Sequence, residues 1–301
     1  MSLTRRAFLS SSSAAAALML TGVGRSASLG LPIGLQLYSV RTLLPTDYAG
    51  TLKQISALGY KEVEAAGFFN MPVEQVKAAM QAAGLRCVSA HYPLPLLRQH
   101  LDEILPFCKS LGAGFVVCSS PMHQQEGVKG PLTLDDWRWS AEQFNQIATK
   151  VQAAGMRFAY HNHVAEFGAI GGVLPYDELL KITDPAKVSC ELDCGWVIVG
   201  GQDPVHYLKQ YPTRIVMLHV KDFKNNKPPS VELGTGSIDY TPIFAAAAAT
   251  KHIHHAFVEQ EEFQGPIIQA LKVDAEYMKR HGASLGLAEQ RMLPGNHIMH
   301  Q

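Results

Sequence analysis

The sequence predicts a single α/β domain, a closed (β/α)8 barrel of the TIM type, and three observations predict it. Short β-rich runs alternate with helical patterns eight times, which demands parallel strands joined by crossover helices. About 270 residues remain after an N-terminal leader, or about 34 for each of eight units, an ordinary size for a βα repeat. Polar residues stand at the end of nearly every run. A barrel gathers all its strand ends at one mouth, whereas an open sheet shares a crevice only near its switch point. No run is followed by the glycine fingerprint of a dinucleotide-binding open sheet.

The elements follow in order. Ile33 to Tyr38 is the first strand, and Lys61 to Glu64 follows the helical stretch Tyr48–Leu58. Arg86 to His91 comes after a helix stopped by Gly84, and Phe115 to Ser119 is the fourth strand. Phe158 to His161 follows Gly155, another helix stop. Val188 to Asp193, Ile215 to Val220 and Ala256 to Glu259 complete the set, and a last helix spans Ile267 to His281. The polar stretches Pro121–Pro131 and Phe223–Ser230 both follow strands, so both belong to the loops of the mouth. Gly234-Thr235-Gly236-Ser237 lacks the lysine of a phosphate loop and reads as the turn before a helix, capped by Ser237 or Asp239.

Composition excludes other classes. The chain has 301 residues, 47% of them apolar, and its 26 basic residues balance 26 acidic ones. That apolar content is too high for a disordered chain. Zero net charge lacks the basic excess that phosphate recognition requires, so no nucleic-acid partner is expected. No apolar run reaches the roughly 18–20 residues that span a bilayer, so no stable membrane anchor is expected. Arg5-Arg6, a short weakly apolar segment to Leu20 and the small residues Ser26-Ala27-Ser28 read as a twin-arginine export signal. The plain alternative is a frayed helix. The expected division is residues 1–29 as leader, 30–285 as barrel and 286–301 as an irregular tail, with a periplasmic or otherwise exported protein as the consequence. Cys87, Cys108, Cys118, Cys190 and Cys194 are odd in number and lack zinc-site spacing. A Cys87–Cys118 pair stays open. The alanine run Ala245–Ala249 offers a smooth helix face and leaves an oligomer open.

The strand ends carry the chemistry. They present Gln36, Glu64, His91, Glu166 just beyond His161, Asp193, His219 and Glu259. The last four are three carboxylates and an imidazole. Crowded at one mouth, the carboxylates repel one another unless a divalent cation neutralises them. So oxygen-rich a set suits Mn2+, Mg2+ or Co2+ better than a structural zinc, although Zn2+ stays open. Taken singly, each residue reads as a solvated loop side chain.

Four segments, Tyr160 to Phe167, Glu191 to Trp196, Leu218 to Asp222 and Phe257 to Glu261, resemble the sugar phosphate isomerase/epimerase family of xylose isomerase-like TIM barrels. Gly34 to Arg41 resembles that family's first strand, and the likeness spans roughly residues 33–282. The resemblance implies one divalent metal held by Glu166, Asp193, His219 and Glu259, with His161 and His163 as competing ligands or as groups that orient a carboxylate. It also implies proton abstraction beside a carbonyl, through an enediolate, with Glu166 and Glu259 as the bases on opposite faces of a sugar or polyol. Substrate contacts are expected from Gln36, Glu64, His91, His161 and Lys221. Plainer roles stand beside two of these: an ion pair of Lys221 with Asp222, and a hydrogen bond of Glu64 to a neighbouring strand end. Ketose epimerases of the family usually carry an arginine soon after the metal histidine, where this chain has Lys221-Asp222.

The leading expectation is therefore a metal-dependent sugar isomerase or epimerase. The runner-up is a lyase or dehydratase using the same metal and base on an oxidised sugar such as a 3-keto-glycoside. A non-catalytic sugar-binding barrel is the lesser alternative.

Overall fold

The computed structural model describes residues 29–281, so the predicted leader, save its last residue, and the predicted tail lie outside the described residues. The strands of the barrel are β1 (Gly34–Gln36), β2 (Glu62–Ala65), β3 (Arg86–Pro93), β4 (Phe115–Ser120), β5 (Arg157–His161), β6 (Val188–Asp193) and β7 (Ile215–Val220). A hairpin of β8 (Asp222–Lys224) and β9 (Lys227–Val231) follows, and β10 (His255–Val258) closes the ring. Barrel neighbours pair in parallel around the closed order β1-β10-β7-β6-β5-β4-β3-β2. The helices are α1 (Tyr48–Ala57), α2 (Val73–Ala83), α3 (Leu94–Leu111), α4 (Leu134–Ala153), α5 (Pro175–Ile182), α6 (Cys194–Val199), α7 (Pro204–Gln210), α8 (Thr241–Thr250) and α9 (Ile267–His281).

Alternation along each strand builds two cores. Leu35, Val63, Val116, Phe158, Leu192, Leu218 and Val258 point outward and pack under the helices against Leu52, Val76, Leu97, Phe144, Leu179, Leu208, Phe244 and Leu271. Each such fully buried side chain contributes about 1.5–3 kcal/mol. The alternate residues fill the barrel in layers. At its N-terminal end His255 Nδ1 lies 2.7 Å from Glu62 Oε2, and Arg157 donates to Ser189 Oγ at 3.2 Å. Above them Val88, Phe115, Val117, Ala159, Met217 and Phe257 form a separate apolar cluster with Val216. Gly34 belongs to this layer because a Cβ there would lie 2.5 Å from the Phe257 ring. The top layer is polar and forms the site.

Register carries the strand-end residues to a common height. A bulge between Val63 and Glu64 pairs Glu64 with Ser89, and one between Cys190 and Glu191 pairs Asp193 with His219. All five cysteines are buried free thiols, so no Cys87–Cys118 bridge forms.

The stretch Phe223–Ser230, expected as a loop, is a hairpin instead. Asn225 and Asn226 both sit at φ +54°, the left-handed pair that a tight two-residue turn needs. The glycine-rich turn has a different purpose from a phosphate loop. It wraps the buried Asp222 carboxylate, which accepts from the backbone N–H groups of Phe223, Gly234, Gly236 and Ile238 at 2.8–3.1 Å. A Cβ on Gly236 would lie 2.1 Å from Asp222 Oδ1, so only glycine fits. Asp239 caps the next turn, its carboxylate accepting from Thr241 N at 2.9 Å.

One buried acid stands apart. Asp274 on α9 is fully buried; its Oδ1 accepts from Leu233 N at 2.7 Å, and its Oδ2 has no hydrogen-bond partner. Burial, with the charges of Glu232 and Asp222, pushes its carboxyl up to about 7. Its folded-state affinity for the proton therefore exceeds that of the unfolded chain. Stability is full below the unfolded value near 4 and is lost as pH rises toward 7. Asp274→Asn keeps the acceptor and removes the charge. In urea melts it should match the parent near pH 4 and exceed it by about 2–4 kcal/mol at pH 8. A gap independent of pH would contradict this reading.

Candidate metal and substrate site

The site is the polar top layer of the barrel. β7 supplies His219, which is fully buried. Its Nε2 lies 2.7 Å from Glu64 Oε1 on β2, and its Nδ1 lies 3.0 Å from Glu259 Oε2, just after β10. Glu64 is held from below: Gln36 Nε2 donates to its Oε1 at 2.7 Å, and Ser89 Oγ donates to its Oε2. Gln36 in turn accepts from Tyr38 N at 3.0 Å. The imidazole is thus fixed with one ring nitrogen toward a supporting carboxylate, which leaves the other to face the mouth.

β6 contributes two carboxylates. Asp193 Oδ1 accepts from Trp196 N at 2.8 Å and so caps α6, while its Oδ2 faces the site. Asn162, next after β5, pins the strand ends: its side chain accepts from Asp193 N at 3.0 Å and donates to Asp193 O at 3.2 Å. Gly195 permits this turn, since a Cβ would lie 2.9 Å from Lys221 O. Glu191, two residues earlier on the same face, places its Oε2 2.6 Å from His91 Nε2, 3.2 Å from His161 Nδ1 and 3.3 Å from His219 Nε2.

Lys221 is buried against the same group. Its Nζ lies 3.2 Å from Asp193 Oδ2 and 2.8 Å from Glu259 Oε2, and it donates to Glu261 Oε1. It also stands 4.8 Å from the Trp196 ring centre. The ion pair with Asp222 expected as its plain role does not form. Adjacent strand residues point to opposite faces, and Asp222 turns away into the glycine-rich turn.

Burial and charge oppose one another throughout. Burial would raise Glu191, but His219 and His91 hold its carboxyl down at about 2. Burial would lower His91, but Glu64 and Glu191 hold it up at about 9. Burial also opposes the charge on Lys221, yet Asp193, Glu259 and Glu261 keep it firmly protonated. Burial likewise opposes ionisation of Glu259, which Lys221 and His219 drive well below the usual carboxylate range. Two groups go the other way. Burial raises Asp193 above the usual range in spite of Lys221, and it drives His161 well down, helped by His219, His163 and His91.

Two sets of ligand atoms lie within 4.8 Å of one another: His161, Asp193, His219 and Glu259; and His91, His161, Glu191 and His219. The first set fits a cation better. In it His161 Nδ1 and Asp193 Oδ2 are buried and make no hydrogen bond, although Glu191 Oε2 and Lys221 Nζ stand 3.2 Å from them as ion-pair partners. Native structures rarely leave buried polar atoms without a hydrogen bond, and a cation answers both. The second set also holds two such atoms, His161 Nδ1 and Glu191 Oε1, but in it His91 is already shared between Glu64 and Glu191.

Asp193, His219 and Glu259 are thus brought together as the sequence reading placed them, and Glu166 is not part of either set. It sits on a short 3-10 turn, Ala165–Phe167, where its Oε1 accepts from Tyr160 Oη at 2.5 Å. His161, at the end of β5 and facing Glu191 across the ladder, stands in its stead. The expected pair of bases, Glu166 and Glu259, is therefore not formed at the cation cluster.

An open cavity of about 320 Å3 lies over the cluster, lined among others by Tyr38, His91, His161, His163, Glu259 and Glu261. Of the residues expected to touch substrate, His91 and His161 line it. Gln36, Glu64 and Lys221 do not; they are buried beneath it and hold the residues that do. Sequence reasoning missed Glu191, Glu261 and Tyr38. The two-residue period of a strand offered the signal for Glu191, because it must share the inner face with Asp193.

Comparison with known proteins agrees with this geometry. The chain is 24% identical over 263 residues to an inosose dehydratase of Clostridium perfringens strain 13, covering 76% of this chain and 88% of that relative. Its fold matches a sugar phosphate isomerase/epimerase from Parabacteroides distasonis with a TM-score of 0.71 and 26% identity, over 85% of this chain and 96% of that one. It also matches the IOLI protein, solved with a bound zinc atom, with a TM-score of 0.64. That match has 13% identity, covers 83% of this chain and 98% of the other, and bears on the fold alone. A family model described as xylose isomerase-like TIM barrel covers residues 52–281. The strand order and this match together establish that the chain belongs to the xylose isomerase-like TIM barrel family.

Proposed function

We propose that the protein is a divalent-metal-dependent lyase that eliminates a β-substituent from an oxidised sugar or polyol. The observation that carries this reading is the asymmetry of the site. Glu259 lines the cavity with His91, His161 and His163; the other carboxylate there, Glu261, is engaged by Lys221, and Glu166, expected as the second base, is not among the lining residues. Epimerisation and isomerisation return a proton to carbon and favour two matched bases. Elimination needs one base and one acid. The likeness to an inosose dehydratase supports the same choice. The isomerase or epimerase reading, first from the sequence alone, stands second.

The residues divide the work. Glu259 takes the proton from the carbon beside the carbonyl, its carboxylate oriented by His219 and Lys221. His91, kept protonated between Glu64 and Glu191, gives a proton to the departing oxygen. Lys221 balances the charge that Asp193, Glu259 and Glu261 bring into the interior. His161, Asp193, His219 and Glu259 would hold the cation, and two imidazoles among the four donors favour Mn2+, Co2+ or Zn2+ over Mg2+. When bound, the cation supplies positive charge for the enediolate oxygens.

Four outcomes are expected. Chelation should remove turnover and lower Tm by about 5–10 °C, with recovery of both on adding one divalent ion. In the same assay His161→Ala should purify without metal and Glu166→Gln should retain it. Metal retained by His161→Ala and lost by Glu166→Gln would restore Glu166 as the ligand. Glu259→Gln should lower kcat on a 3-keto-sugar bearing a β-substituent by about 10³-fold, with the folding transition preserved. NMR of the wild-type products should show the substituent released with an unsaturated ketone; a rearranged ketose with no release would place the enzyme among the isomerases.

A further inference from the structure

A second cavity opens beside the first. It has a volume of about 800 Å3 and lies between the stretch from Ser120 to Leu132 and the turn from His163 to Ile170. Ser120 and His163 line both cavities, so the two adjoin. The small polar cavity over the cation cluster has room for one sugar ring. The larger one has a different character. Its walls include Met122, Leu132, Trp137 and Ile170. Its ionisable side chains are His123, Glu126, His163 and Glu166, with no lysine or arginine among them. His123 is engaged by Asp136 Oδ2 and Gly130 O, both at 3.1 Å, and burial lowers the proton affinity of His163. A phosphate or other anion finds no counter-charge there.

One side chain in this cavity has an unmet need. Glu166 is 1% exposed, its Oε1 accepts from Tyr160 Oη, and its Oε2 has no hydrogen-bond partner. A buried acceptor of this kind calls for a donor. The occupant is therefore apolar over most of its surface, uncharged, and carries a hydroxyl or N–H that reaches Glu166.

We propose that this cavity is the subsite for the leaving group, and that the leaving group is an aromatic alcohol bearing a hydrogen-bond donor. The substrate class is then an oxidised aryl glycoside rather than a free sugar or a sugar phosphate. This rests on the elimination reading above. In the step, the carbon beside the carbonyl loses its proton to Glu259 and the electron pair forms the C=C bond. The bond between the β-carbon of the sugar and the aryloxy oxygen breaks, that oxygen keeps the pair, and a proton from His91 completes the phenol.

The test compares three glucosides oxidised to the ketone at C3: methyl, phenyl and 4-hydroxyphenyl. The aryl compounds should exceed the methyl compound at least tenfold in kcat/KM, with the 4-hydroxyphenyl compound best. Ala169, exposed on the cavity wall, gives a filler that leaves the fold alone. Ala169→Trp should cut both aryl rates tenfold or more and spare the methyl rate. Glu166→Gln turns the free acceptor into a donor and should erase the preference for 4-hydroxyphenyl over phenyl. Equal rates for methyl and aryl substrates, or an Ala169→Trp effect shared by all three, would overturn the subsite. If none of the three is turned over, the elimination reading fails and calorimetry decides the subsite separately. Binding of 4-hydroxyphenyl glucoside, weakened about tenfold by Glu166→Gln and by Ala169→Trp, supports it; no binding overturns it.

Discussion

The structure depends on accommodating several carboxyl groups inside one end of a barrel. Glu64, Glu191 and Asp193 are fully buried and Glu259 nearly so. A lone carboxylate in such surroundings costs several kcal/mol, so each must have a cationic or hydrogen-bonding partner. His219 and Lys221, both on or next to β7, meet this need between them. The strand register exists to bring them there. Extra residues on β3 and β7, Val88 and Val216, shift the register so that Glu64 and Asp193 come to the height of His219, and Asn162 ties the end of β5 to the end of β6. Below this layer the barrel is apolar, with Gly34 making room for Phe257. The polar cluster thus rests on a close-packed floor and opens only toward the mouth.

This arrangement separates support from contact. Gln36, Glu64, Ser89 and Lys221 hold ligands and bases without reaching the cavity. His91, His161, Glu259 and Tyr38 reach it. His161 Nδ1 and Asp193 Oδ2 are among the buried atoms that make no hydrogen bond, and both belong to the set that best fits a cation. Glu166 Oε2 makes no hydrogen bond either, but Glu166 lines the neighbouring cavity instead.

The order of strands and the position of most site residues were legible because they rest on local patterns. Apolar runs with polar ends mark barrel strands, and the last helix begins and ends where its periodicity does. Asp193, His219 and Glu259 each terminate such a run. The choice between His161 and Glu166 was not legible. The two stand five residues apart, and a 3-10 turn with a single hydrogen bond from Tyr160 decides which one faces the cluster. Glu191 was hidden inside a buried strand, where an acid is unexpected until its neighbours are known. The pairing of Lys221 followed from strand geometry, which sends Lys221 and Asp222 to opposite faces. The glycine-rich turn made sense only with the Asp222 carboxylate at its centre.

The central claim is that His161, Asp193, His219 and Glu259 hold one divalent cation. Anomalous diffraction at the absorption edge of the bound metal tests it most directly. The account predicts a single strong peak at about 2.0–2.3 Å from one atom of each of those four side chains. A peak whose first ligand on this side of the barrel is Glu166, or one centred between His91 and Glu191, would contradict it.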